Sequence, residues 1–561
     1  MKTRTKKWAV LLAASVLAAS IAGCSGGSSG ANGNSAGPGD GKGNAPADDK
    51  LQPVTISTVM EVAPETKFKN GETIENNVVT MWAKDKFNID FKFDWTVSGL
   101  NSTYQNKLQL MLASNEKFPD VFRVSDKQLI ADLIASGKVM DVTEAVEKYA
   151  SPRLKELYQK FPQAVWPVSA DGKMYAVPVL SGGNISDLNM WIRQDWLDKL
   201  GLQAPTTIAE LENVMDAFVN RDPDSNNKRD TIGITLAMKN AIVNWMGDGS
   251  FLVGSFGAKA GDRQWGPDGN GGLQYGGVQP EMKMTLGKLY EWFNKGYLDP
   301  EFAILDENKA IESFTSGRSG IVFGAPWMTD WPFTDMLKLH PEAKLKPYPV
   351  PAGADGSIGR RGESIFYSAI MFNKDFKHID RFFDYLNTVY GWSYGEGDFK
   401  YGFAEGYDYA LDASGKPVYD DASIPNGKVE PIKYLPGTYH QLDIPFLQYD
   451  VYKKLHDGGK PENTVEERWA TADPLSLEAG AIVAEQNPYR MEDLYQGPAT
   501  PTMQSKQEYL EKIEKEAYAQ IIYGKKPLDS FDQFVEDWKK NGGDEITKEV
   551  NEWYQTVAQI K

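Results

Sequence analysis

The sequence predicts an α/β fold, because segments typical of strands and of amphipathic helices alternate along the chain. Segment 54–61 is a short apolar run and 88–97 alternates apolar and polar residues, so both predict strands. Segment 73–87 between them has the apolar spacing of an amphipathic helix, and 103–116 predicts a second helix before a strand at 118–125. This β-α-β-α-β order favours layered α/β packing with mainly parallel strands.

The pattern continues further along the chain. Segment 191–201 predicts a helix that ends at Gly201, and the next helix begins with Thr207 and Glu210 in the spacing of a capping box. Segment 231–238 (TIGITLAM) predicts a strand. The apolar stripe of the second helix consists of Leu211, Val214, Met215 and Phe218. With 561 residues the chain is long for one hydrophobic core, so we expect at least two domains.

The first fifty residues predict secretion. A basic start is followed by a charge-free apolar run that is short for a membrane span, which predicts a signal peptide over residues 1–23. Small residues precede Cys24 as they do in the lipobox of bacterial lipoproteins; the alternative is an ordinary signal peptide with an incidental cysteine. Residues 24–50 are rich in Gly, Ser, Asn and Pro and predict a flexible, lipid-anchored linker. Cys24 is the only cysteine, so no internal disulfide forms.

Charge and aromatic content restrict the kind of partner. The net charge of -17 argues against nucleic acid and against a polybasic membrane patch. It also disfavours a highly anionic ligand unless the binding cleft is locally basic. The 15 tryptophans and 26 tyrosines suit a protein that stacks aromatic rings on sugars, although core packing is the alternative for most of them.

Signals of enzymatic chemistry are poor. No two of the four histidines have a helical metal-ligand spacing, so we predict no zinc site. The nucleophile motif G-x-S-x-G and the phosphate-binding motif G-x-x-x-x-G-K-[ST] are absent from the sequence. Two carboxylate pairs, Glu396 with Asp398 and Glu405 with Asp408, stay open as candidates for glycoside cleavage. We predict a protein that is not an enzyme.

Residues 222–231 (DPDSNNKRDT) resemble a calcium-binding loop. Asp222, Asp224 and Asn226 offer side-chain oxygens at positions 1, 3 and 5. Lys228 offers its backbone carbonyl at position 7, and Asp230 offers a carboxylate at position 9. The alternative is a solvated polar turn.

Two departures from an EF-hand weaken this pattern. Asn227 replaces the usual glycine at position 6, which is tolerable because asparagine adopts the left-handed conformation. Gly233 stands where an EF-hand has its bidentate glutamate. We expect a structural calcium ion that stabilises a protein without disulfides.

Several motifs together resemble one family. They are FPDVF, DGKMYAVP, IRQDWLDKLGLQAPTTIAEL, DPDSNNKRDTIG, SGRSGIVFGAPWMTDW and the tail from residue 518 to 554. In this order they are similar to the extracellular solute-binding lipoproteins, family 1, of carbohydrate ABC importers, including oligosaccharide-binding and alginate-binding proteins. The resemblance covers the chain from about residue 51 to its end but does not specify the sugar.

The resemblance implies a two-lobed, periplasmic-binding-protein-like fold of type II, the maltose-binding class, with hinge strands and a cleft between the lobes. The first lobe would comprise 51–180 and about 367–440, and the second 181–366 and about 441–561. In alginate-binding relatives the equivalent loop binds a structural calcium, with an acidic residue where Thr231 stands here.

The resemblance also implies where a ligand binds. Trp327 matches a position that stacks on a sugar ring in maltose-type receptors; a core indole is the alternative. Arg123 and Asp126 would lie at the cleft rim, and Glu363 near the second crossover, in the cleft or in the hinge. The remaining candidates are Trp331, Trp245 and Trp265.

The implied function is capture of an oligosaccharide by lobe closure and its delivery to the membrane permease of an ABC transporter. The protein would be a monomer anchored to the bilayer through lipidated, palmitate-bearing Cys24, on the extracytoplasmic face of a bacterial cell membrane. One alternative is a surface-anchored glycoside hydrolase or polysaccharide lyase that uses a carboxylate pair. Another is an adhesion or sensor lipoprotein with the same fold.

Overall fold

The computed structural model describes residues 52–64, 66–98, 101–438 and 442–559. The predicted signal peptide, Cys24 and the linker 24–50 lie outside the described residues. Across the described ranges, no helix combines the length and the apolar character that a membrane span requires.

The first sheet has five strands. Val54–Val62 pairs in parallel with Ile89–Ser98 and with Val121–Val124, as the β-α-β-α-β order predicts. Phe366–Phe372 returns from far along the chain and inserts antiparallel between Val121–Val124 and Val177–Leu180. The sheet is therefore mixed, and a segment distant in sequence lies in its interior.

Helices cover this sheet. Asn77 begins the first of them by accepting hydrogen bonds from Val79 and Thr80, and Asn88 ends it in the left-handed conformation. The helices of this region are Val78–Phe87, Asn101–Ala113, Lys127–Ala135, Thr143–Tyr149, Pro152–Lys160 and Ile379–Val389.

The second sheet has three strands and is antiparallel throughout, which differs from the mainly parallel pairing expected. Asn189–Arg193 lies between Ile321–Gly324 and Leu345–Tyr348. The helices of this region are Gln194–Leu200, Ile208–Asn220, Ser250–Gly254, Pro280–Asn294, Glu307–Ala310, Glu312–Thr315, Phe333–Leu339, Leu447–His456, Thr464–Trp469, Pro474–Glu485, Pro501–Ile522, Ser530–Trp538 and Asp544–Val557.

The predicted strand 231–238 is wrong. Its residues form only single bridges, Ile232 with Ser319 and Thr235 with Val322. Both Gly233 and Ile234 donate to the Tyr297 carbonyl, so the backbone turns away from the sheet between the bridges. The apolar residues are buried all the same, which explains the strand-like pattern.

The helix caps agree in part with the sequence. Gly201 ends its helix with φ of 66°, as predicted. Thr207 accepts from the Glu210 backbone, but the Glu210 carboxylate bonds to Thr206 instead of returning to Thr207. The box is therefore half formed. The predicted stripe of this helix is buried in full.

Two large hydrophobic cores divide the described residues. The first takes its members from 54–180 and 365–442, and the second from 188–350 and 491–550. The chain therefore passes from one core to the other before Leu188, again before Ile365, and once more after Leu442. The protein has the two-lobed α/β architecture that the sequence predicts.

Candidate ligand-binding site

Three of the four tryptophans predicted to contact a ligand lie together in the second lobe. The ring centroids of Trp245 and Trp327 are 5.7 Å apart with 27° between the ring planes. Trp331 lies on Trp245 at 6.4 Å and 22°, and 43 % of it is exposed. We name Trp245, Trp327 and Trp331 the tryptophan cluster. It presents near-parallel apolar faces, and the faces of sugar rings stack on such surfaces.

The cluster is held by buried neighbours. Trp327 is in a short 3-10 helix, Pro326–Thr329, directly after the sheet strand Ile321–Gly324. The Thr329 and Ser476 hydroxyls are 2.6 Å apart and connect this turn to the helix Pro474–Glu485. Trp245 and Trp327 also pack against a small buried cluster that includes Trp191 and Phe333. Trp245 and Trp327 are therefore held in place by buried neighbours.

A cavity of about 150 Å³ lies between the two lobes near the crossover segments. One wall is the 3-10 helix Tyr390–Tyr394 of the first lobe, and the other is formed by the second-lobe helices Leu447–His456 and Thr464–Trp469. Its lining consists of Ile185, Trp392, Ser393, Leu442, Asp443, Ile444, Leu447, Gln448, Arg468 and Trp469.

Sequence reasoning did not identify Trp392, Arg468 or Trp469. Trp469 packs edge-on against Tyr452 at 6.5 Å. Burial raises the pKa of Tyr452, and the Asp330 carboxylate, next to Trp331 in the chain, raises it further. The cavity borders the helix Leu447–His456, which packs on the helix Pro474–Glu485 that the turn of Trp327 contacts. No local motif marks these positions, because the residues that line the cavity come from segments that are far apart in sequence.

Trp265 is not in the tryptophan cluster. It is 5 % exposed and packs against Tyr275 and Tyr495 in the second core. Its backbone N–H donates to Asp493 at 3.0 Å. The structure favours the core alternative for this indole, and we do not carry it into the proposed site.

Arg123 and Asp126 have structural partners. Arg123 is 6 % exposed, pairs with Glu61 at 3.7 Å and lies over the rings of Tyr104 and Tyr367. Asp126 caps the helix Lys127–Ala135. The partners of both side chains belong to the first lobe.

Glu363 lies at a crossover between the lobes. Its carboxylate accepts from the Ser186 N–H at 3.0 Å, and its own N–H donates to Asp187 at 2.8 Å. Burial raises the pKa of Glu363, although the Ser186 hydrogen bond opposes this. These contacts join two chain segments that pass between the lobes, so the geometry favours a hinge position over a cleft position.

Asp187 is the centre of a buried ion cluster at the same crossover. It is fully buried, pairs with Arg490 at 2.9 Å, and also contacts Arg360. Arg490 donates further to the carbonyls of Gly183 and Glu363 at 2.6 and 2.7 Å. Burial alone would raise the pKa of Asp187, but the surrounding arginines outweigh burial and lower it.

The predicted calcium loop brings its polar side chains together. The Asn226 amide nitrogen donates to Asp224 at 2.6 Å and to Asp230 at 3.0 Å, while Asp222 accepts from the backbone of Asn226 at 3.1 Å. Asn227 has φ of 57°, the left-handed conformation that the sequence predicts. In the part of the chain that the structure describes, no group of three or more His, Cys, Asp or Glu side chains is arranged to hold a metal ion.

The carboxylates considered for glycoside cleavage bond to other groups. Glu396 forms a two-pronged ion pair with Arg153 at 2.8 and 3.0 Å, which lowers its pKa. Asp398 accepts from the Trp82 indole and pairs with Lys86, and these contacts lower its pKa too. Asp408 accepts from two backbone N–H groups of its own loop. A general acid needs a raised pKa, so the first pair is poorly suited to that role.

These features define a two-lobed binding protein with an aromatic site in its second lobe and a cavity between its lobes. Residues 65–391 match the family model of the bacterial extracellular solute-binding proteins. The chain belongs to that family.

Two curated relatives from Bacillus subtilis (strain 168) are similar over most of the chain. The polygalacturonan/rhamnogalacturonan-binding protein YtcQ is 24 % identical, over 98 % of this chain and 99 % of its own length. Lipoprotein LipO is 25 % identical, over 81 % of this chain and 85 % of its own length.

Two solved structures share the fold. An HMO-binding, ABC-transporter-associated solute-binding protein of Bifidobacterium longum infantis aligns with a TM-score of 0.64 at 18 % identity, over 91 % of this chain and 100 % of that one. An EF-hand mutant of the Streptococcus pneumoniae substrate-binding protein FusA, in complex with fructo-nystose, aligns with a TM-score of 0.57 at 18 % identity and the same coverage. At this identity the likeness shows the fold alone.

Proposed function

We propose that this protein is a non-enzymatic receptor that captures an oligosaccharide between its lobes and delivers it to the permease of an ABC transporter. The observation that carries the proposal is the tryptophan cluster, in which three indoles present stacked, partly exposed faces. The names of YtcQ and FusA, a polysaccharide-binding and a sugar-complexed protein, support a carbohydrate ligand.

In this proposal a sugar ring stacks on the exposed indole of Trp331, and Trp327 and Trp245 extend the surface. The lobes are 51–180 with about 367–440, and 181–366 with about 441–561, and they close over the ligand. Closure is the two-state change that a permease reads, because it depends on whether ligand is bound. Glu363 belongs to the hinge.

The location follows from the N-terminal pattern together with the family. We propose that Cys24 is lipidated and palmitate-bearing, and that residues 24–50 hold a monomeric binding body at the extracytoplasmic face of the cell membrane. The family is extracellular, and LipO is named a lipoprotein.

Calcium is a further part of the proposal. Asp222, Asp224, Asn226 and Asp230 already contact one another, and the Lys228 carbonyl stands at the matching position of the loop. Turning the Asn226 amide by 180° would direct its oxygen, instead of its nitrogen, at the space between the Asp224 and Asp230 carboxylates. The orientation of an amide is set by the hydrogen bonds around it. The oxygen-rich donor set suits calcium. The ion would stabilise the loop that joins the helix Ile208–Asn220 to the second core.

The sugar-binding proposal is tested by substituting the cluster. Trp331→Ala and Trp327→Ala should weaken oligosaccharide binding about tenfold or more in isothermal calorimetry, because each removes a stacking face. The screen uses neutral and acidic plant and algal oligosaccharides. Tyr509→Ala is the matched control: its ring is 49 % exposed on the helix Pro501–Ile522, away from the cluster, and affinity should not change.

Two results would contradict the proposal. One is that no oligosaccharide in the screen binds the native protein. The other is the release of new reducing ends from a bound sugar over hours, which would support the hydrolase alternative.

The calcium proposal is tested separately by thermal unfolding. The paired substitution of Asp222 and Asp224 by Ala should lower the midpoint by several degrees more in excess calcium than in chelator, since a bound ion stabilises only while it is present. Asp268→Ala is the control, because Asp268 caps another loop of the same lobe through two backbone N–H groups. Equal losses with calcium and with chelator would reject the ion.

A further inference from the structure

We infer that Arg361 is a positioning residue that connects the loop of Trp245 to the segments where the chain passes between the lobes. Through this connection, a sugar on the tryptophan cluster changes the energy of lobe closure. The inference rests on the proposed function and deepens it, because it names a residue that acts on the sugar only through Trp245. We name residues 239–249 the Trp245 loop, and residues 181–187 and 359–364 the first and second crossover segments.

Trp245 is the ring that both other members of the tryptophan cluster contact. Trp327 stacks on it at 5.7 Å between ring centroids and Trp331 at 6.4 Å, so the spacing of both rings depends on where Trp245 lies. The loop also reaches the strand that leads to Trp327, since the Gly247 N–H donates to the Phe323 carbonyl at 2.9 Å. A small shift of the Trp245 loop would therefore change the surface on which a sugar stacks.

Asp248 fixes the backbone of the Trp245 loop. It is fully buried and accepts from the N–H of Asn244, directly before Trp245, at 2.9 Å and from the N–H of Ser250 at 2.5 Å. Burial raises the pKa of Asp248 to about 6, and the Arg361 charge is the first of the influences that oppose this. Asp248 therefore depends on Arg361 as its counterion.

Arg361 lies between Asp248 and both crossover segments. It belongs to the second segment, and its backbone N–H donates to the Ser250 hydroxyl at 2.8 Å. Its guanidinium donates to the Ser186 carbonyl of the first segment, and its Nε is 3.6 Å from the Asp248 carboxylate. One residue therefore contacts the loop that carries Trp245 and the two segments that must change when the lobes close.

The backbone packs closely around this bridge. The helix Ser250–Gly254, which follows the Trp245 loop, lies against the second crossover segment, and a Cβ on Gly254 would be 2.2 Å from the Gly359 carbonyl oxygen. Backbone meets backbone here with no side chain between them. A movement of the second crossover segment is therefore passed to the end of the Trp245 loop.

The contact between Arg361 and Asp248 is only partly formed. At 3.6 Å the two groups attract each other but are too far apart for a hydrogen bond, and the buried Nε of Arg361 has no hydrogen-bond partner among the described residues. A movement of about 0.8 Å would bring the pair to the length of a charge-assisted hydrogen bond. The pair thus has a loose and a tight arrangement, and the Trp245 loop and the crossover segments together decide which one forms. By linkage, a sugar that favours one arrangement at Trp245 favours the same one at the crossover.

Hydrogen–deuterium exchange measured by mass spectrometry tests the connection. The full-length protein is measured at pH 8, where Asp248, with its pKa of about 6, is ionised. It is measured alone and with the tightest binder among maltotriose, cellotriose, xylotriose, kestose and a galacturonate trimer. In the native protein, the sugar should slow exchange about fivefold or more in both the Trp245 loop and the first crossover segment, the lower end of ordinary coupling between sites.

Arg361→Gln should break the connection. The sugar should still slow exchange in the Trp245 loop, but the response of the first crossover segment should disappear. Affinity in calorimetry should fall about fivefold to tenfold, because closure no longer assists binding. In a double variant with Trp245→Ala, affinity should be no lower than in Trp245→Ala alone, since Arg361 acts through that ring.

Arg361→Lys separates the two contacts of the guanidinium. An ammonium can reach the Asp248 carboxylate or the Ser186 carbonyl, but it cannot contact both as the guanidinium fork does. Without sugar, this variant should keep the exchange of the Trp245 loop as slow as in the native protein, because Asp248 retains a counterion. With sugar, the first crossover segment should still fail to respond.

Arg193→Gln is the matched control. Arg193 is also a buried arginine of the second lobe, 3 % exposed and paired with Asp195 at 2.6 Å, at the end of the strand Asn189–Arg193 that is further from the first crossover segment. The substitution should lower the midpoint of thermal unfolding but leave the response to sugar unchanged in both segments. Thermal unfolding without sugar shows that each variant is folded. If Arg361→Gln does not fold, Arg361→Lys decides the same question.

Two results overturn the inference alone. One is a first crossover segment that responds to sugar in the Arg361 variants as it does in the native protein. The other is a double variant in which the affinity losses of Arg361→Gln and Trp245→Ala simply add. Both results require a sugar that binds the native protein and depends on Trp331. If none of these sugars binds, the proposed function fails and the inference falls with it, so the two failures are distinguishable.

Discussion

Two buried ion clusters in this protein both combine arginines with carboxylates but differ in their balance of charge. At the crossover, Asp187 is enclosed by Arg360 and Arg490. Inside the second lobe, Glu514 is 1 % exposed, accepts from the Tyr275 hydroxyl at 2.8 Å, and has Arg263 at 3.4 Å. The crossover cluster has more cations around its central acid, whereas the second has a single arginine for several acids.

This difference sets the protonation of each central acid. The arginines hold the pKa of Asp187 below its usual value despite complete burial. Burial, with the neighbouring Asp262 charge, raises the pKa of Glu514 to about 7, and Arg263 and Tyr275 only partly oppose this. The central acid of the crossover cluster therefore keeps its charge, while the central acid of the second-lobe cluster changes protonation near neutral pH.

The largest effect we expect comes from the crossover. Asp187→Asn leaves Arg360 and Arg490 buried without their acid, and the free energy of unfolding should fall by about 3–5 kcal/mol. Denaturant unfolding monitored by fluorescence measures the change. Glu396→Gln is the control, since its ion pair with Arg153 is largely exposed and should contribute less than about 1 kcal/mol.

A double substitution sharpens this test. Adding Arg360→Met to Asp187→Asn removes one of the stranded cations and should restore part of the lost stability. A loss for Asp187→Asn no greater than that for Glu396→Gln would show that the crossover is not held by its charges.

Local patterns were enough to predict individual elements in both lobes. The strands at its start, the Gly201 cap and the left-handed Asn227 all follow from residues close together in sequence. Three of the four predicted tryptophans also come together, although only the family resemblance, not their spacing, singled out Trp327.

The remaining features depend on contacts between distant segments. Asp187 meets Arg490 across 303 positions, so no window of sequence reveals the crossover cluster. Arg468 and Trp392 are likewise separated by a long stretch of chain before they form one cavity. The neighbours of Trp265 in sequence are polar and glycine-rich and suggest an accessible indole, while its packing partner Tyr495 is far along the chain.

The smaller effect we expect comes from Glu514. Its pKa is raised from the ordinary value of 4.5 to about 7 in the folded protein, so between these values the folded state holds a proton that the unfolded state has released. The stabilisation from this proton is therefore full at low pH and is lost as pH rises from about 4.5 to 7. The loss is on the order of 3 kcal/mol.

Glu514→Gln mimics the protonated acid and can still accept from Tyr275, so it should remove this pH dependence. The variant should have the same free energy of unfolding as the native protein near pH 4.5 and a higher one at pH 8. Denaturant unfolding at both pH values measures this difference. Arg263 keeps Glu511 at 3.2 Å as a partner, which limits the effect on the arginine.

Glu545→Gln, at an exposed helical pair with Lys548, is the control and should change the stability at neither pH. A stability difference between native protein and Glu514→Gln that is equal at both pH values would mean that Glu514 is already ionised inside the lobe. The two buried clusters would then differ in composition but not in how they respond to pH.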